Sequence, residues 1–138
     1  MRHTPDNITE LAPNEIFVFG SNTKGVHGSG AAKKAARHFG AQRGIGEGLT
    51  GQCYALPTLN ADSRGGFHLE KRTDYELLGS IFEFYCCVAD NPRYTFLLTK
   101  VGCGLAGYDE AHIIDLFHKV SVRFNGSLAN IVWPEGWQ

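Results

Sequence analysis

The sequence predicts a three-layer α/β/α sandwich on a mixed, mostly parallel sheet. Strand, glycine-rich loop and helix follow one another twice, from Ile16 to Phe39 and from Tyr94 to Val120. The strands are short continuous apolar runs rather than alternating ones, which marks strands covered on both faces by helices. Length adds to this: 138 residues with 43% hydrophobic side chains make about one domain with its own core. No linker or low-complexity tract divides the chain, so 1–138 reads as a single domain.

Taken in order, Ile16-Phe17-Val18-Phe19 reads as a buried strand ending at Gly20. A loop leads from there to Ser29. Ala31, Ala32, Ala35, Ala36 and Phe39 then recur at helical spacing, and Gly40 is placed as the residue beyond the helix end. Gly44 to Gly51 is too glycine-rich for regular structure, and Cys53-Tyr54-Ala55-Leu56 is a second strand, stopped by Pro57. Thr58 to Arg72 reads as a polar loop. Thr73 with Glu76 forms a capping box, and Leu77, Leu78, Ile81, Phe82, Tyr85 and Val88 trace the apolar stripe of a helix ended by Asn91-Pro92. Tyr94 to Thr99 is the third strand. Asp109 caps the next helix, whose face is Ile113, Ile114, Phe117 and Val120, and Ile131-Val132-Trp133 is a last strand closed by Pro134.

The formal charge of −1 carries no basic excess, which argues against non-specific binding to a nucleic-acid backbone. No apolar run approaches the roughly 20 residues that cross a bilayer, and Met1 to Asp6 lack the apolar stretch of a signal peptide. Cys53, Cys86, Cys87 and Cys103 include no C-x-x-C, and the histidines have no metal-ligand spacing. These observations predict a cytoplasmic protein with no membrane association, no metal and no resident cofactor.

The 17 glycines concentrate at the ends of strands. In an open α/β sheet, ligands sit beyond the carboxyl ends of the strands, and glycine lets successive backbone N–H groups close on a phosphate. The first loop supplies Gly20, Ser21, Gly28, Ser29 and Gly30 for binding. It also holds Asn22, which can position a water or start an Asx turn, and His27, a general acid or base in reach of a phosphate. The second loop supplies Val101, Gly102, Cys103, Gly104, Leu105, Ala106, Gly107 and Tyr108. Cys103 is either a nucleophile or a small residue in a tight turn, and Tyr108 either covers a sugar or packs at a helix head. The block Lys33, Lys34, Arg37 and His38 reads as a solvated helix face, with docking of a larger partner as the minority reading. Gly102-x-Gly104-x-x-Gly107 matches a dinucleotide fingerprint, but no acidic residue closes a strand about 20 residues later, and no Walker sequence occurs.

Asp6-Asn7-Ile8-Thr9-Glu10-Leu11 resembles the macrodomain segment Gly-Asp-Ile-Thr-x-Leu. Ile16 to Asn22 resembles the strand ending in Asn-Ala-Ala-Asn, and Gly25 to Ala32 resembles the Gly-Gly-Gly-Val loop entering the first helix. Val101 to Tyr108 resembles Ile-Ser-Thr-Gly-x-x-Gly-Tyr/Phe. From about Asp6 to Trp133 the chain thus resembles the macrodomain-like ADP-ribose-binding family, in a compact branch of bacterial and phage proteins. The resemblance implies a ligand such as ADP-ribose or an ADP-ribosylated protein, with the second loop on the diphosphate and distal ribose. It implies an adenine contact from either Asp6 or Asn7. The family's hydrolases carry an Asp in the opening turn of the first helix, where this chain has Ala32. Three functions are expected in order: an ADP-ribose-derivative hydrolase or phosphatase using Asn22 and His27, a non-catalytic ADP-ribose reader, and a structural or interaction domain.

Overall fold

A computed structural model describes residues 2–61, 69–125 and 128–138. The strands are β1 (His3–Thr4), β2 (Glu15–Asn22), β3 (Gly48–Thr50), β4 (Cys53–Ala61), β5 (Leu69–Lys71), β6 (Thr95–Leu98) and β7 (Ile131–Pro134). The helices are α1 (Gly30–His38), α2 (Asp74–Asp90) and α3 (Glu110–Ser121). The sheet runs β1-β7-β6-β2-β4-β3, with β5 also on β4. Neighbours from β1 to β4 pair in parallel, while β3 and β5 are antiparallel to β4. The predicted mixed, mostly parallel α/β sandwich is the observed architecture.

Side-chain alternation along β2 assigns the two faces. Ile16 and Val18, opposite Phe96 and Leu98, join Tyr54, Leu56, Phe84, Phe117 and Trp133 in the larger core, under α2 and α3. Phe17 and Phe19 point the other way, into a smaller core with Ala35, Phe39, Cys53 and Leu97 beneath α1. Alanines on the inner side of α1 bring the helix close to the sheet. Trp133 and Trp137 are both buried in the larger core.

Three local expectations change. The stretch from Gly44 is not wholly irregular, because Gly48–Thr50 folds back on Cys53–Ala55 as a short edge strand. Pro57 does not end its strand either. Pairing with β3 stops at Ala55 and pairing with β5 begins at Leu59, so Pro57 sits between them where no partner on that side needs an N–H. The register against β2 shifts there, with Pro57 opposite Ser21 and Leu59 opposite Asn22. Part of the expected polar loop is therefore strand, Thr58–Ala61 and Leu69–Lys71, and its middle, 62–68, lies outside the described residues. The pairing of His3–Thr4 with β7 had no apolar run to announce it. Among the described residues no helix is long and apolar enough to cross a membrane.

Candidate functional site

β2 and β6 are adjacent and parallel, so the loops that follow them leave the same end of the sheet. The chain after β2 turns to α1 on one face, and the chain after β6 turns to α3 on the other. That divergence is a topological switch point, where α/β sheets open a crevice. A cleft of about 320 Å³ lies there, near the lower end of the roughly 300–1,000 Å³ of small-molecule sites.

The first loop is shaped from within. The Asn22 side chain donates to the Val26 carbonyl (2.8 Å) and accepts from the Val26 N–H (3.2 Å), so its amide holds the turn closed. The Gly25 N–H bonds the Asn22 carbonyl at 3.0 Å. Behind this turn lies the chain from Ala41 to Gly48. The buried Ser21 hydroxyl donates to the Gly46 carbonyl, and a Cβ on Gly46 would come within 2.4 Å of the Asn22 carbonyl oxygen. Gly20 makes room for the second loop: a Cβ there would stand 3.3 Å from the Gly102 nitrogen.

Beyond Val26 the backbone is left open. Ser29 occupies the N-cap position of α1 without a side-chain bond, and no acidic residue stands in the first turn. The first intrahelical bond is from Lys33 N–H to the Ser29 carbonyl. The amides of Gly28, Ser29, Gly30, Ala31 and Ala32 thus have no acceptor among the described residues, and all five residues line the cleft. Helix N-termini of this kind carry partial positive charge and exposed donors.

The second loop is anchored at its ends and open in the middle. Val101, Cys103, Gly107 and Tyr108 N–H groups bond Thr99, Lys100, Gly104 and Gly102 carbonyls respectively. The amides of Gly102, Gly104, Leu105 and Ala106 have no acceptor among the described residues, and these residues form the opposite wall. Two runs of backbone whose amides lack acceptors among the described residues therefore line one cavity. Among the described residues Lys100 is its one ionisable lining residue, 3.7 Å from the Glu110 carboxylate. No Asp, Glu, His or Cys lines this cleft among the described residues.

A second cavity of about 200 Å³ adjoins the first and shares Gly30, Ala31 and Thr99 with it. Its other walls are Pro5, Asp6, Ile8, Phe17 and Lys34. Of the two candidates for an adenine contact, Asp6 stands on this cavity, while the Asn7 side chain is held by the Lys34 ammonium and is not part of the lining.

Gly20, Ser21, Asn22, Gly28, Ser29, Gly30, Val101, Gly102, Gly104, Leu105 and Ala106 converge on the cleft. His27, Cys103, Gly107 and Tyr108 do not line it. The His27 ring packs edge-on against Phe19, with centroids 5.2 Å apart, and Nε2 lies 3.2 Å from the Gln42 carbonyl. A carbonyl only accepts, so Nε2 is the donor of this contact, while Nδ1 is buried without a partner among the described residues. Cys103 packs against the larger core. Burial pushes its thiol up, helped by the Glu110 and Asp109 charges, which is the reverse of nucleophile activation.

Tyr108 is a tether: its hydroxyl donates to the Thr58 carbonyl (2.8 Å) and accepts the Arg72 N–H (2.7 Å). Gly107 is held by Lys71, whose ammonium donates to its carbonyl. Arg72 extends the brace to Pro57, Ser80 and Asn60.

The sequence reading missed Val26, Thr58, Leu59, Leu69, Thr99 and Lys100, and it left Ala31 and Ala32 out of the site although they line it. Thr99 and Lys100 stand just before the second loop, at the carboxyl end of a strand, where the crevice rule points. Thr58 and Leu59 escaped because Pro57 was read as a strand end. Leu69 reaches the cleft through the β4–β5 pairing, which no short-range pattern announces.

No protein-family model matches the sequence, and a search of curated proteins finds no match. One solved structure is similar, a protein of unknown function from Bacteroides thetaiotaomicron. It is 13% identical with a TM-score of 0.54, over 91% of this chain and 90% of that one. At that identity the likeness is one of fold.

Proposed function

We propose that this chain binds ADP-ribose or a related phosphorylated nucleotide derivative across its two glycine-rich loops, as a reader or sequestering module rather than a hydrolase. The observation that carries the reading is the pair of amide arrays, at Gly28 to Ala32 and at Gly102, Gly104, Leu105 and Ala106, whose residues line one cleft and whose N–H groups have no acceptor among the described residues. Backbone N–H groups at a helix N-terminus and in a glycine loop suit a diphosphate. The adjoining cavity, with an aspartate that can accept from an exocyclic amine, suits the nucleoside end. The macrodomain resemblance supports the same ligand and the same order of its parts. A binding role is favoured over turnover because the cleft's described lining offers no carboxylate or imidazole, and His27 is turned onto Phe19.

Titration calorimetry with ADP-ribose, followed by chromatography of the recovered ligand, tests this. Saturable binding with intact ligand is expected. Gly104→Val, at a position with nothing within 4 Å of a built Cβ, is expected to fold normally and to lose binding. Equal affinity in that variant would remove the ligand from this cleft, and conversion of the ligand would replace the reader by an enzyme.

A further inference from the structure

Charge is segregated along this chain. Between Ile16 and Gly46 there is no Asp or Glu, while Lys24, Lys33, Lys34, Arg37 and Arg43 all fall there; all 14 acidic residues and the other eight cations lie elsewhere. A near-neutral protein thus carries five formal positive charges on one stretch. The fold sets four of them in two pairs. Lys33 and Arg37 are one helical turn apart on α1 and both exposed. Lys24 and Arg43 flank glycines in backbone contact, the Gly44 N–H bonding the Gly25 carbonyl at 2.9 Å, and both are exposed. Among the described residues, Lys24, Lys33, Arg37 and Arg43 have no carboxylate partner. Like charges at i, i+4, as at Lys33 and Arg37, are mildly unfavourable within a helix, although Arg37 in the last turn suits the helix dipole.

We propose that the α1 face is a docking surface for an acidic segment of a partner protein. Charge complementarity is the argument: clustered, uncompensated cations steer and orient an anionic partner. A polypeptide fits better than a nucleic acid. Single strands need exposed aromatic rings to stack on, and the large apolar residues exposed beside Arg43 are aliphatic, Ile45 and Leu49. Phe39, the aromatic residue at the end of α1, is buried. The surface is separate from the cleft, because Lys24, Lys33, Arg37 and Arg43 line neither cavity. Its test does not depend on the nucleotide reading.

The experiment is fluorescence anisotropy of a labelled oligo-glutamate peptide titrated with the full chain at low and high salt, with labelled oligothymidylate in parallel. The peptide is expected to bind, with affinity falling as salt rises. Lys33→Glu with Arg37→Glu is expected to weaken binding at least about tenfold. Lys119→Glu with Arg123→Glu, the same charge change on the α3 side, is expected to change it less than about twofold. Lys24→Ala with Arg43→Ala, which alters no helix, carries the expectation if the first double variant fails to fold. Absence of peptide binding, equal loss in both charge-reversed variants, or tighter binding of oligothymidylate would overturn the proposal.

Discussion

Gly46 and Gly28 belong to neighbouring loops of one glycine-rich region, yet they are glycine for opposite reasons. A Cβ on Gly46 would lie 2.4 Å from the Asn22 carbonyl oxygen, whereas a Cβ on Gly28 would meet nothing within 4 Å. Gly104 in the second loop is as open as Gly28, and neither has the positive φ that would itself call for glycine. The crowded glycine lets one stretch of backbone rest on another. The open ones are unexplained by the chain's own packing, and both face the cleft. The helix starts divide the same way. α2 begins with a complete capping box at Thr73 and Glu76, and α3 with Asp109 accepting from the Ala111 N–H, while α1 begins uncapped at the cleft. Away from the cleft the helix starts carry side-chain caps and the crowded glycine is explained by contact within the chain; at the cleft neither holds.

The steric half of this comparison gives the largest expected effect. Gly46→Ala forces backbone against backbone and is expected to cost about 3 kcal/mol, near the upper end for an overpacked site, seen as a melting temperature lower by about 10 °C. Gly28→Ala is expected to leave stability unchanged or raise it by about 0.5 kcal/mol, through the unfolded chain. Similar losses in both would dissolve the distinction.

The capping half is smaller. Thr73→Ala removes one side of the capping box and is expected to cost about 1 kcal/mol, whereas Ser29→Ala, which deletes no bond, is expected to cost only a few tenths in urea denaturation. A loss at Ser29 as large as at Thr73 would mean that α1 is capped after all.

Ser29→Asp sharpens the comparison, because its two effects have opposite signs. A carboxylate at that N-cap is expected to stabilise the fold by about 0.5 kcal/mol. The same charge, beside the amides assigned to a diphosphate, is expected to weaken ADP-ribose binding at least about tenfold by calorimetry. A variant that gains stability and keeps its affinity would separate the helix start from the ligand.

The sequence by itself determined the elements whose cause is local. Thr73 and Glu76 cap α2 because three residues bring their groups within reach, and Asp109 caps α3 in the same manner. Ile16 to Phe19 and Phe96 to Leu98 are strands because continuous β-forming apolar residues need cover on both faces, and the two glycine loops follow from where those strands end. Only the tertiary structure decided which loop residues face the cleft. His27 is in the first loop and Tyr108 ends the second, but one ring is captured by Phe19 and the other by Thr58 and Arg72, partners distant in sequence or set by packing. The continuation of β4 through Pro57 depended on a gap between two neighbouring strands, and the entry of Leu69 into the cleft depended on β5 pairing with β4. A side chain's type is written in the chain; the direction it points is fixed by contacts that exist only once the sheet has assembled.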